Sequence, residues 1–152
     1  MTTQQSETLT CAAKAPDLPE GVDDAGRRAH AIIVAYLCEH GRMPDGGDRA
    51  FYAPAAWTAL GHAYGTRSRL VICYADASVA GKLAPVFSMD AAYELDCAHY
   101  RQTGKSREPY ALYEGMQAKL REAGLYFEEC TRWYAAVYLI HSADSDAEDD
   151  AR

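Results

Sequence analysis

Two Cys-x-His doublets are the residues whose types best suit a metal site. Cys38 and His40 stand two positions apart, and Cys97 and His99 repeat that spacing. Thiolate and imidazole are ligands that Zn²⁺ accepts in a tetrahedral site. Residues two positions apart on a helix point about 200° apart around its axis, so each doublet converges only at a helix end. A chain without cofactor, in which half-buried cysteines stand beside surface histidines, is the leading interpretation, and zinc is the alternative.

Cysteine nucleophiles are the second chemical possibility. Nucleophilic catalysis needs a thiolate, and therefore an imidazole or a positive field beside it. Cys73 ends an apolar run and Cys130 lies in a predicted turn, but none of the five histidines stands in a local signature with either cysteine. The pattern favours Cys73 as a core residue and Cys130 as a turn residue. The sequence predicts no catalytic residue, and we expect a protein that is not an enzyme.

The segment 101–108, with sequence RQTGKSRE, is polar and basic. Its Gly-Lys-Ser echoes part of a phosphate-binding loop but lacks the upstream glycine and the preceding buried strand. Arg101, Lys105 and Arg107 are therefore candidates for contact with an anionic group on a partner. A solvated basic loop is the alternative.

Aromatic residues are the strongest signal for binding. The chain has eleven tyrosines and two tryptophans, and tyrosine, tryptophan and arginine are enriched at interface hot spots. In the closing segment, Tyr126, Tyr134 and Tyr138 are spaced to share one face of a hairpin, and Trp133 stands beside them. We predict a partner-binding surface there, with burial of this face under helices as the alternative.

The elements that position these residues follow from hydrophobic spacing. The pattern predicts an α+β fold, in which three or four helices cover a small, mainly antiparallel sheet. The second strand of the closing hairpin is apolar on both faces, which is typical of a central strand. The predicted helices are 25–40, 54–64, 89–99 and 109–123, and the predicted strands are 50–52, 70–74, 86–87, 125–128 and 132–140, with a loop over 75–85.

Charge divides the chain into three parts. Residues 1–24 and residues 141–152 each hold five acidic residues and one basic residue, whereas 25–140 holds 12 acidic and 13 basic residues. We expect one globular domain over 25–140 between two flexible acidic tails. A nearly neutral domain makes nucleic acid an unlikely partner, because attraction to phosphate at long range is missing.

The cellular compartment is predicted from features that the sequence lacks. It has no run of 18 apolar residues and no basic, apolar leader, so we expect no membrane span and a cytoplasmic protein. The five cysteines are odd in number and scattered, which favours reduced thiols.

Four segments of the chain together resemble small uncharacterised proteins of bacterial phages and other mobile elements. They are FYAPAAW (51–57), HAYG (62–65), VFSMD (86–90) and, above all, GLYFEECTRWYAAVY (124–138). The resemblance implies a non-enzymatic accessory protein, monomeric or homodimeric, whose partner is a host protein. A host defence complex such as CRISPR or restriction machinery is the implied target. No catalytic residue is carried over.

Overall fold

A computed structural model of the protein describes residue 11, residues 15–44 and residues 49–140, apart from the side chains at positions 77 and 78. In these residues five helices and a four-stranded antiparallel sheet confirm the α+β prediction. The elements are α1 (Asp24–Glu39), β1 (Phe51–Tyr52), α2 (Pro54–Ala59), β2 (Leu70–Cys73), α3 (Ala77–Phe87), α4 (Met89–Thr103), α5 (Ala111–Glu122), β3 (Leu125–Glu129) and β4 (Tyr134–Leu139).

The strand order is β1-β2-β4-β3, so β4 lies inside the sheet as its apolar faces predict. In the register, Val71 of β2 stands opposite Ala136 of β4, and Tyr126 of β3 stands opposite Tyr138. Because side chains alternate along a strand, the sheet has two distinct faces. One face packs against α1, α3 and α5 and contains the main core.

The start of α1 is fixed by a cap and by close packing. The Asp23 carboxylate accepts a hydrogen bond from the Gly26 N–H at 2.8 Å, which satisfies a backbone donor of the first turn. The same carboxylate forms an ion pair with Arg69 at 2.9 Å. A Cβ at Gly26 would collide with the backbone carbonyl of Arg69 and with the Val22 side chain. The absence of a side chain therefore sets how closely α1 approaches the start of β2.

The segment predicted as a loop over 75–85 and a strand at 86–87 is helix α3, so that prediction was wrong. Gly81 and Pro85 are helix breakers locally, but Val79, Leu83 and Val86 share one buried face of the helix. Pro85 has no N–H to donate to the Gly81 carbonyl four residues earlier. The Arg42 guanidinium donates to that carbonyl instead, at 3.0 Å.

The edge of β3 is closed by one side chain of α5. The Gln117 carboxamide accepts from the Phe127 N–H at 2.8 Å and donates to the Phe127 carbonyl at 2.9 Å. The two bonds occupy the position that a further strand would take. Strand addition at this point of the edge is therefore blocked.

The domain starts before residue 25. Val22 is buried in the main core, Leu18 packs against it, and the Pro16 carbonyl lies 3.3 Å from His30 Nε2. The prediction of a flexible tail was therefore wrong for 15–24. Residues 1–10, 12–14 and 141–152, which carry the rest of both predicted tails, lie outside the described residues.

Cys11 and Cys38 form a disulfide, with their Cα atoms 5.9 Å apart. The expectation of reduced thiols was wrong for this pair, because the chain before α1 returns to the last turn of that helix. The other three cysteines are free.

No helix within the described ranges is long and apolar enough to cross a membrane.

We predict that the same substitution has opposite effects at two helical glycines. Gly26→Ala should lower the free energy of unfolding by about 1–3 kcal/mol, because the backbone of Arg69 has to move. Gly81→Ala, where a Cβ meets nothing within 4 Å, should raise it by about 0.5–1 kcal/mol through helix propensity. Urea unfolding measures both, and a neutral Gly26→Ala would contradict the close approach.

We also predict how many cysteines react with an alkylating reagent before and after reduction. Alkylation of unfolded, unreduced protein should label only the three free cysteines, and prior reduction should raise the number to all five. In a Cys11→Ser variant, Cys38 should become labelled without reduction. Mass spectrometry of the peptides measures this, and labelling of Cys38 in the unreduced wild type would contradict the disulfide.

Candidate functional site

The face of the sheet away from α1, α3 and α5 is lined by aromatic and small side chains, and we call it the aromatic face. Its strand residues are Tyr52, Val71, Cys73, Tyr126, Glu128, Tyr134, Ala136 and Tyr138. No long helix covers it in the described part of the chain. Its cover is the short helix α2 and the loop that follows, residues 54–68, which we call the flap.

Trp57 anchors the flap to this face. Its ring stacks on His62 at 3.9 Å between centroids and meets Tyr134 edge-on at 4.9 Å. Tyr52 and Trp133 lie at 4.7 and 5.6 Å. Five rings therefore form one packed cluster, and each aromatic contact adds stabilisation beyond burial alone.

Tyr134 is only 2% exposed within this cluster. It was predicted as a partner contact, but its burial gives it a structural role instead. Trp133, the adjacent residue, is half-buried at the rim of the cluster and keeps part of its ring accessible.

The cross-strand contact expected for the hairpin is present for Tyr126 and Tyr138, whose rings stack at 5.6 Å. Both are half-buried. Gly65 of the flap lies over Ala136 and Val71. A Cβ added at Gly65 would lie within 4 Å of both side chains. The flap thus covers the middle of the sheet, and the Tyr126–Tyr138 pair lies towards the β3 edge.

The flap displays two large apolar side chains that the sequence reasoning missed as functional. Leu60 is 64% exposed and Tyr64 is 58% exposed. Each of the two is followed by a glycine with a positive φ, Gly61 at 94° and Gly65 at 91°. In the sequence, Trp57, Leu60 and Tyr64 are spaced to share one face of the helix predicted over 54–64. Helix α2 ends at Ala59 instead, so Leu60 and Tyr64 leave that face and are exposed.

The structure does not bring the basic residues to the aromatic face. Arg101 lies in the last turn of α4, and Lys105 and Arg107 follow it. Helix α4 packs on α3 and α5, which cover the opposite face of the sheet. The predicted partner-binding residues therefore form two separate surfaces.

The free cysteines near the aromatic face are not activated. Burial raises the pKa of the Cys130 thiol to about 11, with the nearby Glu128 charge as a further cause. Burial likewise raises the pKa of Cys73. Since a nucleophilic cysteine needs its thiolate at neutral pH, this environment opposes the catalytic alternative.

The two Cys-x-His doublets do not come together. Cys38 is in the disulfide, and the His40 ring packs on Tyr36 at 4.3 Å. Across residues 15–44 and 49–140, with Cys11, no group of three or more His, Cys, Asp or Glu side chains is arranged to hold a metal ion. The zinc alternative has no assembled ligand set in this structure.

Comparison of the chain with protein-family models, with curated proteins and with solved structures gave no match. The resemblance to small phage and mobile-element proteins therefore stays a prediction.

We predict that Cys130 resists alkylation until high pH. In the folded protein the thiol pKa of about 11 lies above the ordinary 9.0, so the thiol is protonated below pH 9 and becomes reactive only as pH rises towards 11. The rate of iodoacetamide labelling at Cys130, followed by peptide mass spectrometry, should show this late midpoint. In urea the midpoint should fall towards 9. A folded-state midpoint below 8 would instead indicate an activated nucleophile.

Proposed function

We propose that this protein is a non-enzymatic binding protein that recognises another protein through the aromatic face and its flap. The observation that carries the proposal is the exposure of Leu60 and Tyr64 on a thin cover. Exposed apolar side chains that extend a larger apolar surface mark candidate sites for a partner, and tyrosine is enriched among the residues that dominate binding energy.

The surroundings of these two residues support the same use. Half-buried Trp133, Tyr126 and Tyr138 extend the surface from the flap across the hairpin. Tyrosine and tryptophan offer large rigid contact areas and a polar atom at the rim, so they lose little conformational entropy on binding. Arg49, whose guanidinium lies 4.6 Å from the Tyr52 ring centroid, adds a cation at the β1 end.

The environment of the candidate catalytic groups favours binding over catalysis. Both thiols near the face have raised pKa values, which is the reverse of nucleophile activation. The Tyr138 hydroxyl, whose pKa burial also raises, stays neutral at physiological pH and is suited to hydrogen bonding rather than to proton transfer.

The class of partner comes from the resemblance. We infer an accessory protein of a phage or mobile element that binds and inhibits a host defence complex, such as CRISPR or restriction machinery, in the cytoplasm. The Cys11–Cys38 disulfide weighs against a reducing compartment, and thiol labelling in freshly lysed cells tests that part separately.

The proposal predicts that a Leu60→Ser, Tyr64→Ser variant loses its partner while the fold survives, since both side chains are exposed. The partner should first be isolated with tagged wild-type protein from host cells and then reconstituted from purified components. Loss of two anchor residues should weaken the dissociation constant about thirtyfold or more, equivalent to ~2 kcal/mol.

Tyr93→Ser is the matched control, because Tyr93 is 59% exposed but lies on α4, away from the flap. It should bind the partner as the wild type does. Equal binding by the flap variant, or equal loss in the control, would refute the aromatic face as the docking surface.

A further inference from the structure

A cleft lies on the side of the molecule away from the flap, between α4 and the loop that leads to α5. It is an open cleft of about 460 Å³, a volume within the range of small-molecule sites. One wall is a single face of α4, because its residues are spaced by three or four positions. The side chains that define the cleft are Tyr93, Asp96, Tyr100, Arg101, Arg107 and Tyr110.

The cleft is preformed by one carboxylate. Asp96 Oδ2 accepts from the Tyr110 N–H at 2.9 Å, and Asp96 Oδ1 lies 3.3 Å from Arg107 Nε. These contacts tie the loop to the helix. They also leave the terminal nitrogens of the Arg107 guanidinium for another acceptor.

Tyr110 occupies an unfavourable backbone conformation in this cleft. Its φ is 55°, and it is the one non-glycine residue with a positive φ in the described part of the chain. Glycine or asparagine suits that conformation better than an aromatic residue. The ring lines the cleft, so it stands there at a conformational cost, which is a recurrent property of binding sites.

Positive charge gathers at the rim. Neither Arg101 nor Lys105 forms an ion pair with any described residue, and both are exposed. The field of Arg107 also reaches Arg42, whose pKa burial and this neighbouring charge lower. Asp96 is the carboxylate within the cleft, and Glu108 is exposed on the loop beside it. The excess of guanidinium and ammonium groups fits an anion.

We propose that this cleft binds a nucleoside monophosphate, with its base against the tyrosine rings and its phosphate on the guanidinium groups of Arg101 and Arg107. Tyr93 and Arg101 are separated by eight residues of helix, about 12 Å along its axis, which leaves room for a base against the rings and a phosphate at the Arg101 end. Bases stack readily on tyrosine, and guanidinium groups form paired hydrogen bonds with phosphate.

Two other occupants fit less well. A nucleic-acid polymer would need a groove longer than this cleft, and the nearly neutral segment 25–140, with 12 acidic and 13 basic residues, supplies no attraction to a polymer's phosphates at long range. The acidic C-terminal sequence, HSADSDAEDDAR, has charge of the right sign, but it holds no tryptophan, tyrosine, phenylalanine or large aliphatic side chain to fill the space between the tyrosines.

Isothermal titration of the full-length protein with AMP, GMP, CMP and UMP tests the proposal. At least one nucleotide should bind at one site per chain, with a dissociation constant at least about tenfold lower than those of its nucleoside and of inorganic phosphate. Arg101→Gln and Tyr100→Ala should each weaken binding about tenfold or more. Arg121→Gln and Tyr64→Ala, exposed residues outside the cleft, should leave binding unchanged.

Tyr110→Gly separates a role of the Tyr110 ring in binding from a purely structural role. Glycine relieves the positive φ, so the thermal unfolding midpoint should hold or rise while nucleotide binding falls. No heat from any of the four nucleotides at millimolar concentration would overturn the proposal. Equal binding of inorganic phosphate, or binding of a phosphotyrosine peptide or of single-stranded DNA in place of mononucleotides, would overturn it as well.

The nucleotide proposal does not depend on the proposed protein partner. The Leu60→Ser, Tyr64→Ser variant should bind nucleotide normally, and the Arg101→Gln variant should keep the flap intact. Failure of one proposal is therefore distinguishable from failure of the other.

Discussion

The central strand β4 has to be covered on both faces, and its neighbours in the structure are arranged around that need. Ala135 and Val137 face the helices, and Tyr134 and Ala136 face the flap; all four are buried. Small residues in the middle of the strand let both covers come close. Gly65 reaches Ala136 on one side, and the main core closes over Ala135 on the other.

The two covers differ in thickness, and this difference shapes the surface. Three helices supply apolar side chains over the first face. On the second face a six-residue helix and a loop cover the strands. This short segment suffices because each aromatic ring covers a large area. The Trp57 cluster is therefore a structural necessity, and Leu60 and Tyr64 are what the flap leaves to solvent.

Helix α3 is stabilised by hydrogen bonds with a segment that is distant in sequence. Its proline leaves the Gly81 carbonyl without an internal donor, and Arg42, from the segment after α1, donates to it. Lys82 of the same helix donates back to the Met43 carbonyl at 3.0 Å. This exchange ties α3 to the chain that precedes β1, and it brings Arg42 within the field of Arg107 at the α4 cleft.

The sequence by itself determined the fold class, most of the helices and strands, and the inner position of β4. These properties follow from local spacing, since the two apolar faces of residues 134–139 require two covers wherever they lie. The stacked Tyr126–Tyr138 pair was also predictable, because strand alternation and a short turn fix the cross-strand register.

Only the tertiary structure decided α3, the buried role of Tyr134, the disulfide and the separation of the aromatic face from the basic residues. Each depends on groups that are distant in sequence. Arg42 supports a proline-containing helix 39 residues away, and Cys38 meets a cysteine 27 positions earlier. Spacing tells which side chains share a face, but the position of that face relative to the rest depends on how the layers pack. Arg101 and Tyr138 were both candidates for partner binding, and the packing of the helices on one face of the sheet decides that they lie on separate surfaces.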